Sequence, residues 1–129
     1  MISLNDYKNS KSVKSLVQKM FEARQVAHVV HLQTKSYSQH KALNHFYDDI
    51  LELADTFVET YQGQYGILSG YGDVSVSSNI DIEEYLQDSA KIFMLGRDSM
   101  NDKDTHLKNI MDEVVALTYQ TIYKIKNLK

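Results

Sequence analysis

Apolar residues recur at three- and four-residue steps over four stretches of the chain. Val13, Leu16, Val17, Met20, Phe21, Ala27 and Val30 form the first stripe. It predicts a helix from about Ser10 to Gln33, with a slip in the pattern around Arg24. Leu43, Phe46, Tyr47, Ile50, Leu53, Ala54, Phe57 and Tyr61 predict a second, from about Ser38 to Tyr61, with Gly63 as its stop. A third runs from about Asp81 to Leu95, with Asn79 as N-cap and Gly96 behind it. The fourth spans about Asp102 to Leu128, with Ile110, Val114, Leu117, Thr118, Thr121, Ile122 and Ile125 inward. Acidic residues begin it and lysines end it, as the helix dipole favours. The short breaks "TKSYSQ" and "NDKDT" pair helices 1–2 and 3–4 as antiparallel hairpins. The glycine-rich "GQYGILSGYGDVSVSSN" is a long crossover between helices 2 and 3, with no long helix of its own. The expected fold is all-α: a four-helix bundle in a single domain over 1–129, with residues 1–9 as a short N-terminal tail.

Composition supports this and narrows the function. A chain of 129 residues with 43% apolar and 24% charged residues is one ordinary globular domain. It has no proline, so nothing of that kind interrupts long helices. It has no cysteine, which removes disulfides, thiolate metal sites and thiol catalysis. The net charge of −3 does not indicate a strongly basic nucleic-acid binder. No apolar run is long enough to span a membrane and no signal-peptide core is visible, so a cytoplasmic location, or an assembly formed inside a cell, is expected. P-loop, dinucleotide-binding, HExxH and GxSxG patterns are all missing.

The second predicted helix carries the informative polar residues. His40, Asn44, Asp55 and Glu59 share one face beside its apolar stripe, mixed with Leu51 and Val58. Polar and apolar residues together on one face suit a subunit interface. His40 and Asp55 are about 22 Å apart along a helix, too far for one ion. If two copies pair antiparallel about a two-fold axis between Asp49 and Ile50, His40 faces Glu59 and Asn44 faces Asp55 of the other copy. Such a dimer makes two equivalent clusters.

The stretch "VVHLQTKSYSQHKALNHFYDDILELADTFVE" resembles the Dps-type miniferritins, the DNA-binding proteins from starved cells. His31 matches the family's histidine near the end of its first helix. His40 matches the histidine that opens the second, and Asp55 and Glu59 match the later carboxylates, with the same spacing from His40. The final helix, "DTHLKNIMDEVVALTYQTIYKIKNL", is similar more loosely. The resemblance implies a ferritin-like bundle forming a homo-oligomer, with two-fold dimers through helix 2 within a larger shell. It also implies a ferroxidase-type metal site at the two-fold: His31, His40, Asp55 and Glu59, holding iron or another divalent metal such as manganese or zinc.

Asn44 stands where the family has a ligating aspartate, and a neutral amide is a poorer ligand for a hard cation. Leu32 replaces the tryptophan usual after the first histidine, and the His31–His40 loop is about three residues short of the family's. Lys8, Lys11, Lys14 and Lys19 do not make the dense basic tail that DNA binding calls for. His28 and His106 lack an ExxH partner pattern and read as structural or exposed. Two functions follow from these residues. One is a metal-binding oligomer that binds, oxidises or stores iron. The other is a bundle without chemistry, serving as a structural or interaction subunit of a larger assembly such as a phage particle.

Overall fold

The computed structural model describes residues 1–129. The chain is all-α, with five helices: α1 Leu4–Asn9, α2 Val13–Gln33, α3 Tyr37–Tyr65, α4 Ile82–Asp98 and α5 Thr105–Asn127. The four expected long helices are present with shifted ends. The expected N-terminal tail is instead partly helical. Ser3 and Asp6 form a capping box there, and Tyr7 buries its ring against the bundle. A six-residue helix is too short to show an apolar period, which is why the sequence pattern missed it.

Side-chain caps set three of the long helices' starts. Ser12 Oγ accepts from the Ser15 amide at 3.0 Å, Ser36 Oγ from Gln39 at 3.2 Å and Asp81 Oδ1 from Glu84 at 3.2 Å. Asp81, not Asn79, therefore caps α4. Two expected glycine stops are also corrected. Gly63 lies inside α3, which ends two residues later with Gly66 at φ +97°. Gly96 lies inside α4 because contact requires it. A Cβ there would sit 2.5 Å from Leu16 Cδ1 and 3.0 Å from the Tyr7 hydroxyl.

Val13, Tyr61, Tyr65, Met100, Asp104 and Leu107 line one pocket, so the start of α2, the ends of α3 and α4 and the start of α5 share one end of the bundle. The directions are therefore up for α2 and α5 and down for α3 and α4. α2 packs on α3 and α4, and α5 packs on the same two. Because α3 ends at the bottom and α4 starts at the top, residues 66–81 must climb the full height. They do so along α2. Gly70 lies near Lys14 and Gly72 near Gln18, the Tyr71 ring is 5.7 Å from Phe21, and Val74 sits beside Arg24 and Gln25. As expected, this crossover contains no helix.

The core is one continuous cluster that includes Leu16, Met20, Leu43, Phe46, Ile50, Phe57, Leu86, Phe93, Leu107 and Met111. Two charges are buried beside it. Lys19 Nζ donates to Glu22 Oε2 at 2.6 Å, to the Ile2 carbonyl at 2.9 Å and to the Tyr85 hydroxyl at 3.3 Å. Glu22 also accepts from the Tyr85 hydroxyl and the Ile2 amide, each at 2.6 Å. Burial, and then the Glu22 carboxylate, push the Tyr85 hydroxyl far above its ordinary value, so it stays a donor. Burial lowers the Lys19 ammonium and Glu22 opposes that shift. At the bottom end Asp104 opens α5 without capping it. Its carboxylate instead accepts from Tyr65 and from Gln64 Nε2 at 2.9 Å, tying the end of α3 to the start of α5.

Glu22→Gln keeps the side-chain shape but removes the counter-charge that Lys19 is hydrogen-bonded to. It should cost about 3–5 kcal/mol in urea unfolding, whereas the paired change Lys19→Met with Glu22→Leu should cost far less. Asp104 is held below the ordinary carboxylate range, first by the Tyr65 hydroxyl and then by the Gln64 amide. A depressed carboxylate contributes stability that is present above its unfolded value, near 4, and lost as pH falls through the folded one. Asp104→Asn should remove that part of the acid dependence of the urea midpoint.

Candidate metal centre

The end of α2 and the start of α3 are joined by a break of only three residues, Thr34–Ser36, which folds His40 back against His31. The two imidazoles stack, with centroids 3.6 Å apart and planes 16° from parallel. Each ring also reaches the other residue's backbone. His31 Nδ1 lies 2.7 Å from the His40 carbonyl oxygen, and His40 Nδ1 lies 2.7 Å from the His31 carbonyl oxygen. A carbonyl oxygen can only accept, so both Nδ1 atoms carry the proton and donate. In the neutral rings the lone pair is then on Nε2. A backbone partner on one imidazole nitrogen is how proteins commonly orient a histidine that ligates a metal through the other.

Aromatic neighbours hold the pair. His28 stacks on Tyr47 with centroids 4.5 Å apart, and His31 meets the same ring edge-on at 5.3 Å. Arg24 Cζ lies 5.7 Å from the centroid of the Tyr47 ring, and its Nε is buried without a partner. His28 is thus a packing residue, as expected. His106 is exposed and hydrogen-bonds Gln64 at the far end. His31 is buried and His40 half-buried.

Asp55 and Glu59 are not near them. α3 is one unbroken helix, so these carboxylates lie about 22 and 28 Å further along its axis from His40. Both are exposed. No three histidine or carboxylate side chains in a single chain are grouped to hold an ion. One chain therefore brings His31 and His40 together and keeps Asp55 and Glu59 apart from them. Asn44 sits one turn after His40, but its amide is engaged locally. Nδ2 donates to Asp48 Oδ2 at 3.0 Å, and Oδ1 accepts from the Tyr47 hydroxyl at 3.1 Å.

The donor set has a geometric limit. A neutral imidazole's lone pair lies in its ring plane, and two nearly parallel planes do not converge on one point. His31 and His40 can each give one ligand to neighbouring ions. Sequence reasoning found both residues but not this arrangement, because mutual bonding across a turn leaves no periodic trace. Imidazole ¹⁵N shifts at neutral pH should show His31 and His40 as Nδ1–H tautomers. His45, whose Nε2 faces the Asp49 carboxylate at 3.1 Å, should show the opposite, Nε2–H form, and that form at His31 would contradict the geometry.

No characterised protein and no solved structure matches the chain. One family does match, described as "Family of unknown function (DUF5856)", over residues 31–125. The matched region begins at His31 and includes His40, Asn44, Asp55 and Glu59. Spanning more than half of the sequence, this match makes the chain a member of the DUF5856 family.

Proposed function

We propose that the protein is a Dps-like, ferritin-type homo-oligomer that binds iron(II), or a similar divalent ion, at a site shared across a two-fold axis. The observation that carries this reading is the mutual hydrogen bonding of His31 and His40, which leaves both Nε2 atoms as free donors. The up–down–down–up helix order with one long crossover is of the kind that ferritin-like bundles use. In the shared site, His31 and His40 of one copy meet Asp55 and Glu59 of the other. This mixed nitrogen and oxygen set suits iron(II), manganese(II) or zinc. Iron is the substrate, held weakly enough to be oxidised by an external oxidant and passed on for storage. The dimer forms through the α2–α3 face, where Leu51 is 39% exposed beside Phe21, Arg24 and Val74.

A structural role without chemistry is the second reading. The observation favouring it is Asn44, whose amide is committed to Tyr47 and Asp48 rather than left open as a ligand. Anaerobic calorimetry with iron(II) separates the two. Binding should weaken as protons compete for the imidazoles. Glu59→Ala should cost more affinity than His28→Ala, and Asn44→Asp should strengthen binding. No heat of binding in either wild type or Asn44→Asp leaves the structural reading. Leu51→Lys sets two cations close to the two-fold and should weaken the dimer by roughly 1–3 kcal/mol, measured by sedimentation-equilibrium ultracentrifugation.

A further inference from the structure

The furrow between α3 and α5, a different face from the one above, is charged in opposite senses at its two ends. Its upper trough, about 420 Å³, is lined by Tyr37, Lys41, His45, Lys124 and Leu128. Its lower trough, about 600 Å³, is lined by Asp49, Glu52, Leu53, Glu113, Leu117 and Gln120. The pattern comes from the sequence. No Asp or Glu lies between Glu22 and Asp48 or after Glu113, so the start of α3 and the end of α5 carry only cations. Apart from the exposed His45–Asp49 pair at the boundary, none of these charges has an ion-pair partner in its own chain.

We propose that this furrow is a self-complementary interface that takes a second copy of the chain, antiparallel. The boundary between the troughs falls between His45 and Asp49 on α3 and between Gln120 and Lys124 on α5. A two-fold axis there, in the plane of contact and perpendicular to the helices, lays each basic trough on the other copy's acidic one. Lys41 of one copy then meets Glu52 of the other, and Lys124 lies over the other copy's Gln120 beside Asp49, each contact occurring twice. A parallel arrangement would set lysines on lysines and is disfavoured. Leu53, Ala116 and Leu117 on the floor supply apolar surface, while the charges fix the register and reject other orientations. The interface does not depend on the metal reading. It uses α5 and the other side of α3.

The cysteine-free chain allows a direct test. With a short bismaleimide, Gln120→Cys should cross-link to dimer, and Gln87→Cys, exposed on α4, should not. A dimer that formed only through the α2–α3 face would cross-link neither. Lys41→Glu alone and Glu52→Lys alone, each added to Gln120→Cys, should lose most of the cross-link. An equimolar mixture of those two charge variants should regain it, because every like-charge contact becomes an opposite one. Cross-linking of Gln120→Cys no greater than that of Gln87→Cys would overturn the proposal. So would charge variants that cross-link like the parent, or a mixture that fails to recover. Monomeric protein whose basic trough binds a single-stranded oligonucleotide would give the trough to another occupant and also overturn it.

Discussion

The buried ion pair of Lys19 and Glu22 ties the N-terminal segment, α2 and α4 together. Taking two charges out of water costs several kcal/mol each, and their attraction offsets that cost only with good geometry and satisfied hydrogen bonds. Here each of the three Lys19 donors has an acceptor, and both Glu22 oxygens are occupied. The partners come from three parts of the chain: Ile2, α2 and Tyr85 of α4. The network therefore fixes where the N-terminal segment lies and how α4 sits on α2. Tyr7 and Gly96 continue that contact, since the missing Cβ lets Leu16 and the Tyr7 hydroxyl approach α4.

The direction of α4 then dictates the crossover. With α4 antiparallel to α2, and α3 ending at the same end as α4, the connection has to climb the whole bundle. It takes the groove along α2, where Tyr71 and Val74 shield part of Phe21. Its packing leaves the α2–α3 face partly apolar beside Leu51. The furrow between α3 and α5 is left open and charged. Two faces of one helix are thus available for different contacts.

The length of α3 shapes the chemistry. An unbroken helix of 29 residues holds its histidine end and its carboxylate end apart with little freedom. The histidine end is locally finished: ring stacking, two hydrogen bonds to backbone and the Tyr47 contacts fix both imidazoles. Asp55 and Glu59 stand exposed with no cation beside them. A site made from these four residues is a property of an assembly.

Four long helices, their pairing into hairpins and the helix-free crossover were legible in the sequence, because burial of one face imposes a period that local reading detects. The stripe from Leu43 to Tyr61 is the clearest case. The slip noted around Arg24 marks a region where burial is broader than the stripe: Lys19, Glu22 and Ala23 are all buried. A charged side chain reads locally as solvated, and only distant Tyr85 and Ile2 make its burial tolerable. Gly63 and Gly96 read as helix stops, since glycine is a poor helix former. Packing against Leu16 and Tyr7 decided otherwise for Gly96. His31 and His40 were legible as residues with ligand chemistry. Their stacking and tautomers were decided by the turn that brings two helix ends together, a distance relation that no period along the chain encodes.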